Sequence, residues 1–166
     1  LKVGLGQVAI DHVIQIGAGG AGAAVAQALA QLGTMSIDIV DADADKAQAL
    51  ASKLTADTGA RAQGLGPAQL PEVIGLAAGV VNATPVGMEK LPGTPFDPDL
   101  LRRRQWVADI VYFPRETELL RRARDRGCRV LPGGGMAIFQ AVRAFQLFTQ
   151  REPDPAEMGR VFAEYA

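Results

Sequence analysis

Three glycines near the start of the chain have the spacing of a phosphate-binding turn. Gly17, Gly19 and Gly22 follow the apolar residues 13–16 and precede an Ala- and Leu-rich stretch. In this pattern the first glycine permits a sharp turn, the second lets a pyrophosphate approach the backbone, and the third lets a helix lie close to the strand. Free N–H groups at the start of that helix attract an anion. The spacing therefore predicts a dinucleotide site.

A carboxylate stands where such a site needs one. Asp41 ends a predicted strand and lies 19 residues after Gly22, and an acid roughly 20 residues past the glycines holds a ribose hydroxyl. We assign that role to Asp41 and helix capping to Asp43 or Asp45, although the alternative is that Asp41 and Asp43 only cap the helix that begins near Asp45. These carboxylates would repel the 2′-phosphate of NADP by about 1–4 kcal/mol, so we predict NAD as the cofactor.

Strands and helices alternate along the rest of the chain. We predict strands over residues 12–16, 35–41, 60–63, 80–83, 106–112 and 128–131, and helices over 20–32, 45–56, 67–78, 117–126, 136–149 and 155–165. The pattern is typical of an α/β, Rossmann-type, doubly wound six-stranded sheet, mostly parallel, with helices on both faces. The expected strand order is 3-2-1-4-5-6, with the ligand at the carboxyl edge where the order reverses.

Composition restricts the class of protein. The 166 residues suit one domain, and the formal net charge of −1 provides no electrostatic reason to bind nucleic acid or an anionic membrane. The uncharged residues 13–32 are long enough for a membrane span, but their glycines and strand-like start favour the sheet. A single cysteine, Cys128, fits a reducing cytoplasm. The chain starts at Leu1, so we expect a piece of a longer protein.

Other residues capable of chemistry have simpler interpretations. His12 is the only histidine and lies at a strand entry, so we expect a structural role. The arginines of residues 117–126 alternate with acids and lack an aromatic platform, which favours a solvated helix face over a nucleic-acid surface. We expect no metal.

The segment Asn82-Ala-Thr-Pro-Val-Gly-Met88 resembles the Asn-Ala-Thr-x-x-Gly-Met segment of the shikimate dehydrogenase family. The similarity continues through residues 92–97, 109–114, 116–120, 135–142 and 144–149. Asp41-Ala-Asp43, Glu116-Thr-Glu-Leu-Leu120 and Met136-Ala-Ile138 look most like the NAD-dependent quinate/shikimate dehydrogenase branch.

The resemblance implies roles for individual residues. Gly20 and Ala21 would meet the pyrophosphate, and Lys46 would lie near the ribose, although this branch often has Arg there. The remaining implied contacts are Thr84, Pro85, Val86, Gly87 and Met88 along the dinucleotide, Ile110 and Gly133 at the nicotinamide end, and Gln140 and Tyr112 at the substrate. The alternatives are an ordinary loop at residues 85–88 and a Gln140 exposed by an absent partner domain. The glycines at 133–135 depart from relatives that carry bulkier residues.

The implied reaction is the reversible oxidation of the ring alcohol of shikimate or quinate to its 3-dehydro ketone. The family's amino-terminal domain carries the substrate pocket and a Lys/Asp pair, and nothing in this chain matches that pair. We therefore expect the cofactor domain alone, without catalytic residues. The alternatives are a stand-alone NAD-binding or redox-sensing module and an S-adenosylmethionine methyltransferase. Preference among shikimate, quinate and an amino-shikimate stays open, as do the reaction direction and oligomeric state, a homodimer included.

Overall fold

A computed structural model describes residues 6–165. Its strands are β1 (His12–Ile16), β2 (Ser36–Val40), β3 (Arg61–Leu65), β4 (Gly79–Asn82), β5 (Trp106–Asp109) and β6 (Arg129–Leu131). Its α-helices are α1 (Gly20–Gln31), α2 (Ala44–Thr58), α3 (Leu70–Val73), α4 (Glu118–Asp125), α5 (Gly134–Thr149) and α6 (Pro155–Tyr165). Residues 1–11, which the sequence predicts to be a connector, lie partly outside the described residues, since residues 1–5 are not among them.

The sheet has the predicted order β3-β2-β1-β4-β5-β6, and every pairing is parallel. Ile16 pairs with both Val40 and Asn82, and Asn82 pairs with Asp109. This register aligns the carboxyl ends of β2, β1, β4 and β5. The α/β prediction and the strand order are confirmed, and the order reverses between β1 and β4, as expected for a ligand site.

Alternation along the strands supplies an apolar core on each face of the sheet. On one face, Ile14, Val80 and Val107 form a buried cluster with residues of α3 and α4. On the other, Val13 and Ile37 pack with residues of α1 and α2. Burial on both faces explains why β1, β4 and β5 are mostly apolar.

Several predicted element boundaries differ from the observed ones, and three of the differences have a local explanation. The helix predicted over 67–78 is interrupted: two 3₁₀ turns flank the four-residue α3. Pro71 lacks an N–H group, which disfavours a longer helix. The fifth strand stops at Asp109 rather than at 112, because the Asp109 side chain accepts the N–H of Val111 at 3.0 Å. The helix predicted from Met136 begins at Gly134 instead, and its first turn includes the bond from Ala137 N–H to the Gly133 carbonyl at 3.1 Å.

Polar residues outside the site have structural partners. The His12 ring lies 2.9 Å from the Asp38 carboxylate, which also accepts a bond from Gln63 at 2.9 Å. This pairing supports a structural role for the histidine. Arg122 and Arg126 of the basic run form ion pairs with Asp99. Across residues 6–165, no helix has the length and apolar character required to cross a membrane.

Candidate dinucleotide-binding site

The glycine turn adopts a backbone path that side chains would obstruct. Gly17 has φ +104°, and its N–H donates to the Val40 carbonyl at 2.7 Å. A Cβ at Gly17 would lie 2.8 Å from the Ala83 carbonyl oxygen, and one at Gly22 would lie 2.2 Å from the Gly17 oxygen. This geometry matches a sharp turn at Gly17 and close packing of α1 on β1 at Gly22.

The turn leaves room on its other side. No heavy atom lies within 4 Å of where a Cβ would stand at Gly19 or Gly20. Helix α1 has no side-chain cap at Gly19 and no acidic residue in its first turn. Its first N–H groups therefore lack the side-chain partner that commonly satisfies a helix start, and an anion can take that place. These features fit a pyrophosphate over Gly19, Gly20 and Ala21.

A hydrogen bond links the Asp41 side chain to the glycine turn. Its carboxylate accepts the N–H of Ala18 at 2.7 Å and that of Asp43 at 3.0 Å. Desolvation raises the pKa of Asp41, but these backbone bonds and the charge of Lys46 outweigh it, so the pKa lies below its ordinary value. Asp43 caps α2 by accepting the Lys46 N–H at 3.1 Å. An ionised Asp41 thus stands beside the phosphate-binding turn, with lone pairs left for ribose hydroxyls.

Gln15 braces the same turn, which the sequence interpretation did not anticipate. Its buried amide nitrogen donates to the carbonyls of Gly17 and Gly22, each at 2.9 Å. Its amide oxygen has no hydrogen-bond partner among the described residues. The signal available in the sequence was one polar residue inside the apolar run that precedes the glycines.

Replacing Gln15 by leucine is expected to weaken the binding of NAD and of ADP-ribose to the same degree, by roughly fivefold. Two hydrogen bonds that hold the turn would be lost, each contributing about 0.5–1.5 kcal/mol. Calorimetric titration measures both ligands, and Gln31→Leu at the exposed end of α1 is the matched control. Unchanged affinity for both ligands would show that the brace is dispensable.

A second loop reaches the sheet edge beside the turn. The Asn82 side chain accepts the Thr84 N–H at 3.0 Å and its hydroxyl at 2.7 Å, and donates to the Val86 carbonyl at 3.0 Å. Gly87 has φ +107°, and its N–H donates to the Leu91 carbonyl at 2.8 Å. The segment predicted as cofactor-lining, Thr84, Pro85, Val86, Gly87 and Met88, is therefore ordered by its own polar contacts.

Asp109 and Thr117 extend this arrangement, and their part in it was not anticipated from the sequence. Asp109 accepts the Asn82 amide at 2.9 Å and the Thr117 hydroxyl at 2.7 Å. Desolvation raises the pKa of Asp109, and the bonds from Thr117, Val111 and Asn82 oppose that rise only in part. The available signal was one polar residue, Asn82 or Asp109, inside each of two apolar strands predicted to be neighbours.

An apolar cavity of about 530 Å³ lies between α1, the sheet and α5. Its lining brings Ile110, Gly133 and Gln140 together, with Leu29 and Met136. A Cβ at Gly133 would lie 2.5 Å from the Ile110 carbonyl oxygen, so the absence of a side chain permits this approach. Tyr112 does not line the cavity, and its ring centroid lies 6.3 Å from that of Phe162.

No protein-family model matches the chain. It is 51% identical over 164 residues to a shikimate dehydrogenase (NADP(+)) of Streptomyces avermitilis, across 98% of this chain and 56% of the relative. It is 47% identical over 163 residues to a quinate/shikimate dehydrogenase (NAD(+)) of Corynebacterium glutamicum (strain R), across 98% of this chain and 58% of the relative. The chain belongs to the shikimate dehydrogenase family.

A solved member of the family has the same backbone arrangement. The structure of quinate dehydrogenase from Corynebacterium glutamicum in complex with NAD superposes with a TM-score of 0.93 at 46% identity, over 98% of this chain and 58% of that one. Our chain thus spans a little more than half the length of these relatives. Family membership contradicts the methyltransferase alternative.

Within the shikimate dehydrogenase fold the predicted cofactor residues fall into three neighbouring groups. Asp41 and the glycine turn form the first group, residues 84–88 the second, and Ile110 and Gly133 the third. Contacts along the carboxyl edge join them, since Gly17 lies against Ala83 and the Ile110 N–H donates to the Asn82 carbonyl at 3.0 Å. Gln140 joins the third group.

Proposed function

We propose that this chain is the NAD-binding part of a longer quinate/shikimate dehydrogenase. The reaction is hydride transfer between NAD and the ring secondary alcohol of shikimate or quinate, giving the 3-dehydro ketone. The observation that carries the proposal is the ionised Asp41 held against the glycine turn, at the point where the strand order reverses. Family membership supplies the substrate class.

The preference for NAD rests on charge. A relative named for NADP(+) is 51% identical to the chain and one named for NAD(+) is 47% identical. Sequence identity alone therefore does not distinguish between the two cofactors. A 2′-phosphate would stand beside Asp41 and Asp43, whereas a ribose diol can donate hydrogen bonds to Asp41. Both physical arguments favour NAD.

Each part of the site has a task. The start of α1 would hold the pyrophosphate, Asp41 the adenosine ribose with Lys46 beside it, and residues 84–88 the course of the dinucleotide. Ile110 and Gly133 would border the nicotinamide end, where the bound cofactor supplies a hydride acceptor. Gln140 would contact the ring acid, and Tyr112, which lies outside the cavity, would border the substrate cleft. The proton would leave through a Lys/Asp pair in a second domain outside this chain, and the buried thiol of Cys128 suits a cytoplasmic enzyme.

Two measurements test the proposed function. Calorimetric titration of the chain with NAD and with NADP should show tighter binding of NAD. The full-length protein, supplied with NAD and either shikimate or quinate, should raise the absorbance of NADH. Binding of NAD without turnover by the folded full-length protein would favour the stand-alone module, and tighter binding of NADP would refute the cofactor assignment.

A further inference from the structure

We propose that Thr117 and Asp109 are positioning residues for the nicotinamide end of the cofactor, acting through Asn82 on the loop at residues 84–88. The inference rests on the proposed function and extends it to two residues for which the sequence alone indicated no role. Neither would touch the cofactor directly. Their effect would be to hold the loop in one conformation at the carboxyl ends of β4 and β5.

A continuous set of hydrogen bonds runs from the start of α4 to the end of β4. Thr117 is the N-cap of α4, where its hydroxyl oxygen accepts the Leu120 N–H at 3.3 Å. The same hydroxyl donates to Asp109 at the end of β5, and Asp109 accepts the Asn82 amide at the end of β4. One threonine thereby connects a helix start to two strand ends.

Further hydrogen bonds connect the end of β4 to the loop at residues 84–88. Asn82 holds Thr84 and Val86, and the Thr84 hydroxyl oxygen accepts the Val86 N–H at 3.2 Å. Thr117 also approaches the loop directly, since a Cβ at Gly87 would lie 3.3 Å from its methyl carbon. The loop is therefore constrained both through the polar set and by contact.

The carboxylate of Asp109 is buried between the two strand ends and the start of α4. Asn82, Asp109 and Thr117 have exposed fractions of 0%, 3% and 0%. Burial raises the pKa of Asp109, so its ionised form is less favourable here than in water. An apolar residue in such a position often serves stability as well or better. Fold stability alone therefore does not account for the group, whereas holding three donors in fixed directions does.

The arrangement lies away from the adenosine end of the site. Asp41 and the glycine turn follow β2 and β1, whereas Asp109 and Thr117 follow β5, two strands beyond β1 in the sheet. Loss of the Thr117 hydroxyl should therefore disturb one end of the ligand only. ADP-ribose, which lacks nicotinamide, reports on the other end.

The test compares Thr117→Val, which removes the hydroxyl at nearly constant shape, with Thr117→Ser, which keeps it. Calorimetry on the 166-residue chain measures NAD and ADP-ribose. We expect Thr117→Val to weaken the binding of NAD roughly fivefold or more and to change the affinity for ADP-ribose less than about twofold. Thr117→Ser should bind NAD as tightly as the parent chain. Where Thr117→Val fails to fold, Asp109→Asn provides the same comparison, with a smaller selective loss of NAD.

Three results would overturn the inference: unchanged NAD binding in Thr117→Val, equal losses for NAD and ADP-ribose, or parent affinity for NAD no greater than for ADP-ribose. Equal losses would show a general loosening of the fold. Failure of the parent chain to bind either ligand is a separate result, because it would remove the proposed function itself.

Discussion

Replacing Asp41 by alanine should raise the dissociation constant for NAD by roughly 10- to 100-fold and remove the preference over NADP. A hydrogen bond to a charged acceptor contributes about 1.5–3 kcal/mol, which the alanine variant would lose at the ribose. It would also release the Ala18 and Asp43 N–H groups that the carboxylate now accepts. The binding of NADP should change little or improve, because the repulsive charge is gone.

Asp41→Asn separates charge from hydrogen bonding. The amide oxygen can still accept the Ala18 N–H, so NAD affinity should fall less than in the alanine variant, while the discrimination against NADP is lost. Asp57→Asn, at the far end of α2, makes the same charge change on an exposed residue and serves as the control. An asparagine variant that keeps the parent selectivity would show that the carboxylate does not face the 2′ position.

The pH dependence of this selectivity follows from the charges of Asp41 and of the 2′-phosphate. The pKa of Asp41 lies below its ordinary value, so the carboxylate stays ionised on going from about pH 8 to pH 5. The 2′-phosphate of NADP, with a second pKa near 6, loses about one charge over the same range. Preference for NAD should therefore weaken toward pH 5 in the parent chain and change less in Asp41→Asn, as dissociation constants at both pH values would show.

Residues whose position depends on local spacing could be predicted from the sequence. The positions of Gly17 and Gly22 follow from a turn and a helix within a few residues of each other. The position of Asp41 beside the turn follows from the length of one βαβ unit. The capping role of Asp43 follows from the place where α2 begins. In each case one short segment contains both the residue and the backbone it serves.

Residues whose role depends on strand neighbours were missed. Asp109 meets Asn82 only because β4 and β5 are adjacent, and their separation along the chain is 27 residues. The strand order that we predicted did place the strands of these two polar residues side by side, but it did not end the fifth strand at Asp109. What it did not contain was the direction of the Thr117 hydroxyl, which depends on where α4 begins. The early start of α5 was missed for a similar reason, because it depends on a close approach between distant parts of the chain: a Cβ at Gly133 would lie 2.5 Å from the Ile110 carbonyl oxygen and 2.6 Å from that of Val111.

Two glycine substitutions should have opposite effects on folding and binding. Gly22→Ala would place a Cβ 2.2 Å from the Gly17 carbonyl oxygen, so the backbone must shift. Overpacking of this kind costs about 1–3 kcal/mol, and we expect a lower melting temperature. Gly19→Ala adds its methyl group to open space at φ −75°, a conformation alanine adopts readily, so stability should stay close to that of the parent chain.

The open space at Gly19 is where the proposed pyrophosphate approaches the backbone, so Gly19→Ala should weaken NAD at least tenfold, a change of about 1.4 kcal/mol. Thermal unfolding and calorimetric titration on the same preparations separate the two effects. Gly20→Ala adds a methyl group at the first residue of α1. It should raise the stability of the chain by up to about 1 kcal/mol, because alanine favours the helix. A Gly19→Ala chain that binds NAD as tightly as the parent would move the phosphates away from the start of α1, and the assignment of Asp41 to the ribose would fail with them.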